Sequence, residues 1–298
     1  MLQITSDVFS GRPNPSWVIE DEGKARSFLR EAVGLGNALA AQSSEANGHL
    51  GFRGLVLEPM ADDLAKDFAL SGPLMLPATL AAAQADGRNL IEQLILEMPP
   101  PAAQATEETE EPAEGMQEFL LNLLATSSRE TVQEETGASA AAEIIAQATC
   151  FFERGAYNPG FWNNDATTRQ RNNCYNYASN KRTNTFAQPG RGCGAIYQAL
   201  NCAELTRASL CDGLHRRYVC FPDSERPRYL VALVIWPNQD FHWYRLNSEG
   251  FWSHKPGSTP ARNTDNSNRV ITNPETCNRG PYTHFCGYFY TCRTQRIS

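Results

Sequence analysis

The chain has 298 residues, of which 41% are hydrophobic, and its mean hydropathy is −0.44. No apolar run approaches the roughly 18 residues that a membrane-spanning helix needs, so no membrane span is expected. The net charge of −7 divides unevenly: residues 1–148 carry 8 Lys+Arg and 23 Asp+Glu, whereas residues 149–298 carry 18 and 10. Two interpretations stay open: the halves attract each other within the chain, or they are simply two differently charged surfaces.

The first segment, MLQITSDVFSG, has neither the basic region nor the apolar region of a secretory signal. The localisation therefore stays open between the cytosol, export after a signal was trimmed, and another route out of the cell. Residues 1–98 are predicted to form a small acidic α/β accessory domain, with the stretch SGRPNPSW as a turn. The periodicity predicts strands at 2–9 and 51–59, and amphipathic helices at 20–34, 60–70 and 80–98.

Residues 99–115, PPPAAQATEETEEPAEG, are typical of a linker because they have too little apolar content to form a core. A helical connection is predicted over 116–149, with helices at 116–127 and 138–152. Residues 150–298 form a Cys-rich domain that holds all nine cysteines, and an odd number leaves at least one thiol unpaired. The cysteines fit either up to four disulfides in an oxidising compartment or a reduced domain with buried thiols.

The Cys-rich domain also carries the strand signals. Residues 229–236, YLVALVIW, predict a buried strand, and GYFYTCR near the end predicts another. FHWYRL and FWSHKPG flank the polar, Gly-ended NSEG, which predicts a β-hairpin. An α+β fold with an antiparallel sheet is therefore expected, preceded by the smaller acidic domain.

Cys174, in the stretch NNCYNYASN, is the candidate nucleophile. It lies at a predicted helix start, where the helix dipole and the nearby Arg171 lower the pKa of a thiol. Asn172 and Asn173 are candidate oxyanion donors beside it. The opposing interpretation is that Cys174, like the other cysteines of its domain, is a disulfide partner or a buried thiol.

Two of the five histidines, His242 and His254, lie twelve residues apart on the two arms of the predicted hairpin. A turn centred on Ser248 places them opposite each other on one face, with Cβ atoms about 5 Å apart. His242 is then the candidate base, and His254 orients its ring. Three other residues are candidates for the orienting role: Asp240, Asp265 and Asn263. Three tryptophans line either a substrate cleft or the core: Trp162, Trp243 and Trp252.

The order of these motifs resembles the papain-like fold of the NlpC-type endopeptidases and CHAP amidases. NCYNYA, QPG, FHWYR and FWSH stand where that family has its nucleophile, its Pro-Gly, its base and its third residue. The resemblance covers roughly residues 170–257. It implies a cysteine hydrolase or acyltransferase that acts on a peptide or amide bond through Cys174, His242 and His254, without a metal or other cofactor.

The alternative is a non-enzymatic, disulfide-stapled binding or toxin-like module that uses its Tyr, Trp and Arg residues to hold a partner. A peptide or peptide-like partner suits the enzyme hypothesis. No nucleic-acid partner is expected, because the excess positive charge is modest and no helix carries a basic stripe.

Overall fold

A computed structural model describes residues 1–36, 49–100, 115–126, 151–216 and 223–298. Contacts divide the chain into two compact units. Unit 1 comprises Met1–Val8, Asn14–Asn47 and Phe52–Gln133, and unit 2 comprises Phe9–Pro13, Gly48–Gly51 and Glu134–Ser298. The predicted linker at 99–115 and the predicted helix at 138–152 lie almost wholly outside the described residues, so those domain boundaries stay predictions.

Unit 1 contains a four-stranded antiparallel sheet in the order β2-β1-β3-β4. The first unit, predicted as a small domain of helices and strands, thus combines its helices with an antiparallel sheet. The strands are β1 (Leu2–Asp7), β2 (Ser16–Ile19), β3 (Gly54–Pro59) and β4 (Leu74–Pro77). The helices are α1 (Glu22–Gly34), α2 (Asp62–Asp67), α3 (Ala78–Ala83), α4 (Ala85–Leu96) and α5 (Met116–Thr126).

Helix α1 illustrates why these residues fold as they do. The side chain of Asp21 caps it by accepting from the N–H of Lys24 at 2.8 Å. Its buried residues recur at the helical spacing that defines one apolar face: Ala25, Phe28, Leu29 and Ala32. The helix predicted at 80–98 is instead divided between α3 and α4, because Gln84 has an extended backbone (φ −142°, ψ 131°).

Unit 2 contains a five-stranded antiparallel sheet in the order β5-β9-β6-β7-β8. The strands are β5 (His215–Arg216), β6 (Leu230–Trp236), β7 (Asp240–Leu246), β8 (Trp252–His254) and β9 (His284–Tyr290). The helices are α6 (Gly160–Asn163), α7 (Ala166–Arg171), α8 (Cys174–Ser179) and α9 (Cys202–Cys211). The mixed α+β class and the strands predicted near 229–236, in the hairpin and near the C-terminal end are confirmed.

The sheet of unit 2 separates two apolar clusters. The central strand β6 is an apolar run that contributes Leu233 to one cluster and Val234 to the other. One cluster packs α8 and α9 residues against Phe241 and Trp243, and the other surrounds Tyr244. A side chain's position along β7 therefore decides which of the two environments it enters.

Two disulfides fasten helix α9. Cys202 pairs with Cys286 across 84 residues, and Cys193 pairs with Cys211 across 18. Cys174, Cys277 and Cys292 have free thiols, while Cys150 and Cys220 lie outside the described residues.

Removal of each disulfide is expected to destabilise unit 2 according to the length of the loop that it closes. The chain-entropy relation gives about 4.6 kcal/mol for a Cys202→Ser/Cys286→Ser variant and about 3.2 kcal/mol for Cys193→Ser/Cys211→Ser. Urea denaturation of the two variants measures both values. An equal or reversed order would show that the closed loops do not set the stability.

Candidate functional site

Cys174 is the first residue of α8, as the sequence predicts. Asn173 caps this helix: its Oδ1 accepts from the N–H groups of Tyr175 (3.1 Å) and Asn176 (3.2 Å). Asn176 completes a reciprocal capping box by accepting from the N–H of Asn173 at 3.1 Å. The local sequence NNCYN therefore fixes the thiol at a helix N-terminus.

The environment of this thiol differs from the polar one expected. Cys174 is 0% exposed, and its Sγ lies 3.9 Å from the carbonyl oxygen of Phe241. Burial raises the pKa of the Cys174 thiol well above its ordinary value, and the charge of Asp240 raises it further. Desolvation therefore outweighs the helix dipole, and the expected lowering of the thiol pKa is wrong.

The ring of His242 lies on the other face of the sheet. Side chains alternate along β7, so Phe241 and Trp243 face Cys174. His242 shares its face with Tyr244, whose ring contacts it edge-on with centroids 4.8 Å apart. The structure thus places the candidate nucleophile and the candidate base on opposite sides of strand β7.

The predicted contact between the two histidines is present, in a different register. Tyr244, not His242, pairs with His254, because the turn is centred on residue 249, one residue further along than expected, which shifts the partner of His254 by two. A shift of two keeps both rings on one face. Nε2 of His242 lies 2.8 Å from Nδ1 of His254, and Nε2 of His254 donates to the carbonyl of Thr264 at 2.9 Å. His254 therefore contacts both His242 and the backbone of Thr264.

The other ring nitrogen of His242 contacts a residue that sequence reasoning missed. Nδ1 lies 3.0 Å from Oγ of Ser10, in the stretch taken only as a turn. Ser10 Oγ lies 2.9 Å from the hydroxyl of Tyr282, and that hydroxyl donates to Asp240. Ser10 thereby joins the histidine pair to a carboxylate.

The backbone of residues 10–12 surrounds the carboxylate of Asp240. Its oxygens accept from the N–H groups of Ser10 (2.5 Å), Gly11 (3.1 Å) and Arg12 (3.0 Å). A side chain at Gly11 would collide with strand β7, since a Cβ there would lie 2.5 Å from the Phe241 carbonyl oxygen. Burial raises the pKa of Asp240, while the hydrogen bonds from Tyr282, Ser10 and Gly11 oppose that rise. Asp240 thus holds the 9–12 segment, and its connection to His242, the ring that it was a candidate to orient, runs through Ser10.

The two asparagines proposed as oxyanion donors are occupied. Nδ2 of Asn173 donates to the carbonyls of Gly11 and Ala187, both at 2.8 Å. Nδ2 of Asn172 donates to the carbonyl of Thr168 at 2.8 Å and to Oδ1 of Asn184 at 2.7 Å. Their amides hold the loops around α8 together.

The other candidates are structural as well. Asp265 accepts from three backbone N–H groups, those of Ser267, Arg269 and Asn278, and shapes a loop. The carbonyl of Asn263 accepts from the N–H of Ile271 at 2.9 Å. The three tryptophans expected in a cleft or in the core are all core residues, at most 1% exposed: Trp162, Trp243 and Trp252.

The cluster as a whole is closed to solvent. Its side chains are 0 to 1% exposed: Ser10, Asp240, His242, His254 and Tyr282. Within the described ranges there is no group of three His, Cys, Asp or Glu side chains that could hold a metal ion, and no helix there is long and apolar enough to span a membrane. The arrangement can exchange protons internally and can hold unit 2 together, but it offers no surface on which to bind a substrate.

The fold and this cluster define a class: a mixed α+β protein with a disulfide-stapled antiparallel sheet and a buried polar network. The chain belongs to the same family as the insoluble matrix shell protein 1 of Ruditapes philippinarum. The two are 50% identical over 132 residues, which cover 44% of this chain and 86% of that relative. No family model matches the chain, and no solved structure matches it.

This relative corrects the functional prediction. The activity classes expected from the cysteine and histidine motifs, namely hydrolase, cysteine peptidase (thiol protease) and amidase, are wrong, because the family relative is named as a shell matrix protein. The expectation of disulfides in the Cys-rich half is confirmed. The papain-like resemblance of residues 170–257 stays a prediction that these comparisons do not test.

Proposed function

We propose that this chain is a non-enzymatic structural protein of an extracellular matrix, in which unit 2 serves as a disulfide-stapled binding module. The observation that carries the proposal is the 50% identity to a shell matrix protein over 86% of that protein's length. The relative's name favours a matrix role over the toxin-like version of the alternative.

The chemistry of unit 2 supports the same conclusion. Two disulfides suit an oxidising, extracellular compartment. The groups that suggested catalysis have structural roles instead. The Cys174 thiol is buried with a raised pKa, and Asp240 holds a backbone segment by hydrogen bonds. A matrix protein benefits from such a network, because long-lived extracellular material depends on resistance to unfolding and not on turnover.

Localisation and thiol content of the protein from its native source test this proposal. We expect it in the insoluble extracellular fraction, with the Cys193–Cys211 and Cys202–Cys286 disulfides found by non-reducing peptide mapping. A matched fraction blotted for a cytosolic enzyme controls for lysis. Recovery from the soluble cytosol with all nine thiols reduced would overturn the proposal.

A further inference from the structure

Two stretches of unit 2 carry positive charge and no carboxylate side chain. Residues 166–203 contain five arginines or lysines, and residues 276–298 contain three, with neither Asp nor Glu in either stretch. The cations of the first stretch are Arg169, Arg171, Lys181, Arg182 and Arg191, and those of the second are Arg279, Arg293 and Arg296.

The fold brings these two stretches side by side. The N–H of Gln188 donates to the backbone oxygen of Ser298 at 2.8 Å. Nζ of Lys181 donates to the carbonyl of Arg293 at 3.2 Å. Next to Arg191, a Cβ at Gly192 would lie 2.1 Å from the carbonyl oxygen of Arg296. Charges that are a hundred residues apart in sequence therefore share one surface.

We define the arginine face as five exposed residues of these stretches: Arg171, Arg182, Arg191, Arg293 and Arg296. The carboxylates beside it accept from neutral donors. Glu225 accepts from the backbone N–H and the hydroxyl of Thr294, at 3.1 and 2.6 Å. Asp212 is buried and accepts from the N–H groups of Gly190 and Cys193. Neutral donors leave both carboxylates charged, but the five arginines outnumber them, so the face presents a net positive field to solvent.

The side chains of the face specify the chemistry of a partner. All five are arginines, whose planar guanidinium forks bind carboxylates through two parallel hydrogen bonds, a geometry that a lysine ammonium lacks. A carboxylate-rich polypeptide matches such a surface. The chain itself contains one: residues 1–148 carry 23 Asp+Glu against 8 Lys+Arg, and the stretch EETEEPAE holds five of those glutamates.

We propose that the arginine face binds the acidic first half of a second copy of this chain. Such a contact joins two different surfaces, and a head-to-tail contact that does not close on itself extends into an open chain of molecules. This inference rests on the proposed matrix function and gives it a mechanism, because charge-driven, open-ended association converts a folded protein into insoluble material.

Sedimentation velocity of the disulfide-bonded full chain tests the inference. In 50 mM NaCl we expect high-mass assemblies that revert to monomer in 500 mM NaCl, since screening weakens contacts between exposed charges. An Arg191→Glu/Arg293→Glu/Arg296→Glu variant should need at least about tenfold more protein to associate, because like charges now face each other. The matched control, Arg154→Glu/Arg216→Glu/Arg269→Glu, makes the same change in net charge at exposed arginines outside the face and should shift association by less than about threefold.

The outcomes separate this inference from the proposed function. Circular dichroism first establishes that both variants are folded. Self-association through the face would be overturned if the wild-type protein stayed monomeric in low salt. It would also be overturned if the two variants lost association to the same extent. Binding of heparin in place of a second copy would overturn it too and would assign the face to a sulfated polysaccharide. None of these results bears on whether the native protein is found in an insoluble extracellular matrix, which the localisation experiment decides.

Discussion

Replacing Asp240 by alanine is expected to lower the free energy of unfolding of unit 2 by about 4 kcal/mol. The change leaves three backbone N–H donors without their acceptor, two buried (Ser10 and Gly11) and one partly buried (Arg12), and each buried group costs about 1–3 kcal/mol. It also takes the acceptor from the hydroxyl of Tyr282. Urea denaturation followed by tryptophan fluorescence measures the loss.

An exposed aspartate of the same unit provides the control. Asp223 is 82% exposed and forms an ion pair with Arg228 at 3.2 Å. Asp223→Ala should cost only about 1 kcal/mol, since water screens this exposed carboxylate even though its partner Arg228 is buried. If Asp240→Ala unfolds at the same urea concentration as this control, the buried carboxylate does not hold the 9–12 segment as we describe.

The thiol of Cys174 is expected to resist iodoacetamide in the native protein, with modification roughly 1000-fold slower than in urea. A side chain that is 0% exposed reacts only when the core opens, and such opening costs a large part of the global stability. Its raised pKa removes the reactive thiolate as well. Peptide mapping of samples quenched at successive times measures the rate at each cysteine.

Cys277 serves as the comparison within the same molecule. Its residue is partly exposed, and burial raises the pKa of its thiol to about 12. We expect Cys277 to be labelled before Cys174 at any pH. Preferential labelling of Cys174 at pH 6.5 would contradict the buried environment and would make this thiol the candidate nucleophile again.

Much of the fold of unit 2 could be predicted because its signals are local. The apolar run of β6 and the turn between β7 and β8 lie within a few residues of the structure that they specify. The hairpin register was missed by two residues, since the strands pair Leu246 with Trp252 across a turn at 247–250. Because side chains alternate between the two faces of a strand, an error of two residues leaves each side chain on the same face. Both histidines were therefore still predicted on the correct face.

The environment of the candidate site could not be predicted, because remote residues create it. The sequence neighbours of Cys174 are polar, yet the atoms that bury it come from strand β7, some 67 residues further along. Ser10 has no local feature that points to His242, which lies 232 residues away. The carboxylate, the serine and the two histidines are seen to form a single buried network only when this contact between residues distant in sequence is known.

The position of the Ser10 segment has a consequence for how the protein is made. Phe9–Pro13 belongs to unit 2, but Asp240 is synthesised 230 residues after Ser10. At about 5–20 residues per second, the ribosome delivers the carboxylate roughly 10 to 50 s after its backbone donors. Unit 2 therefore cannot complete its folding as a nascent C-terminal half alone. A fragment that begins at residue 150 would bury a carboxylate without its three N–H donors, and its refolding would require the N-terminal peptide to be supplied in trans.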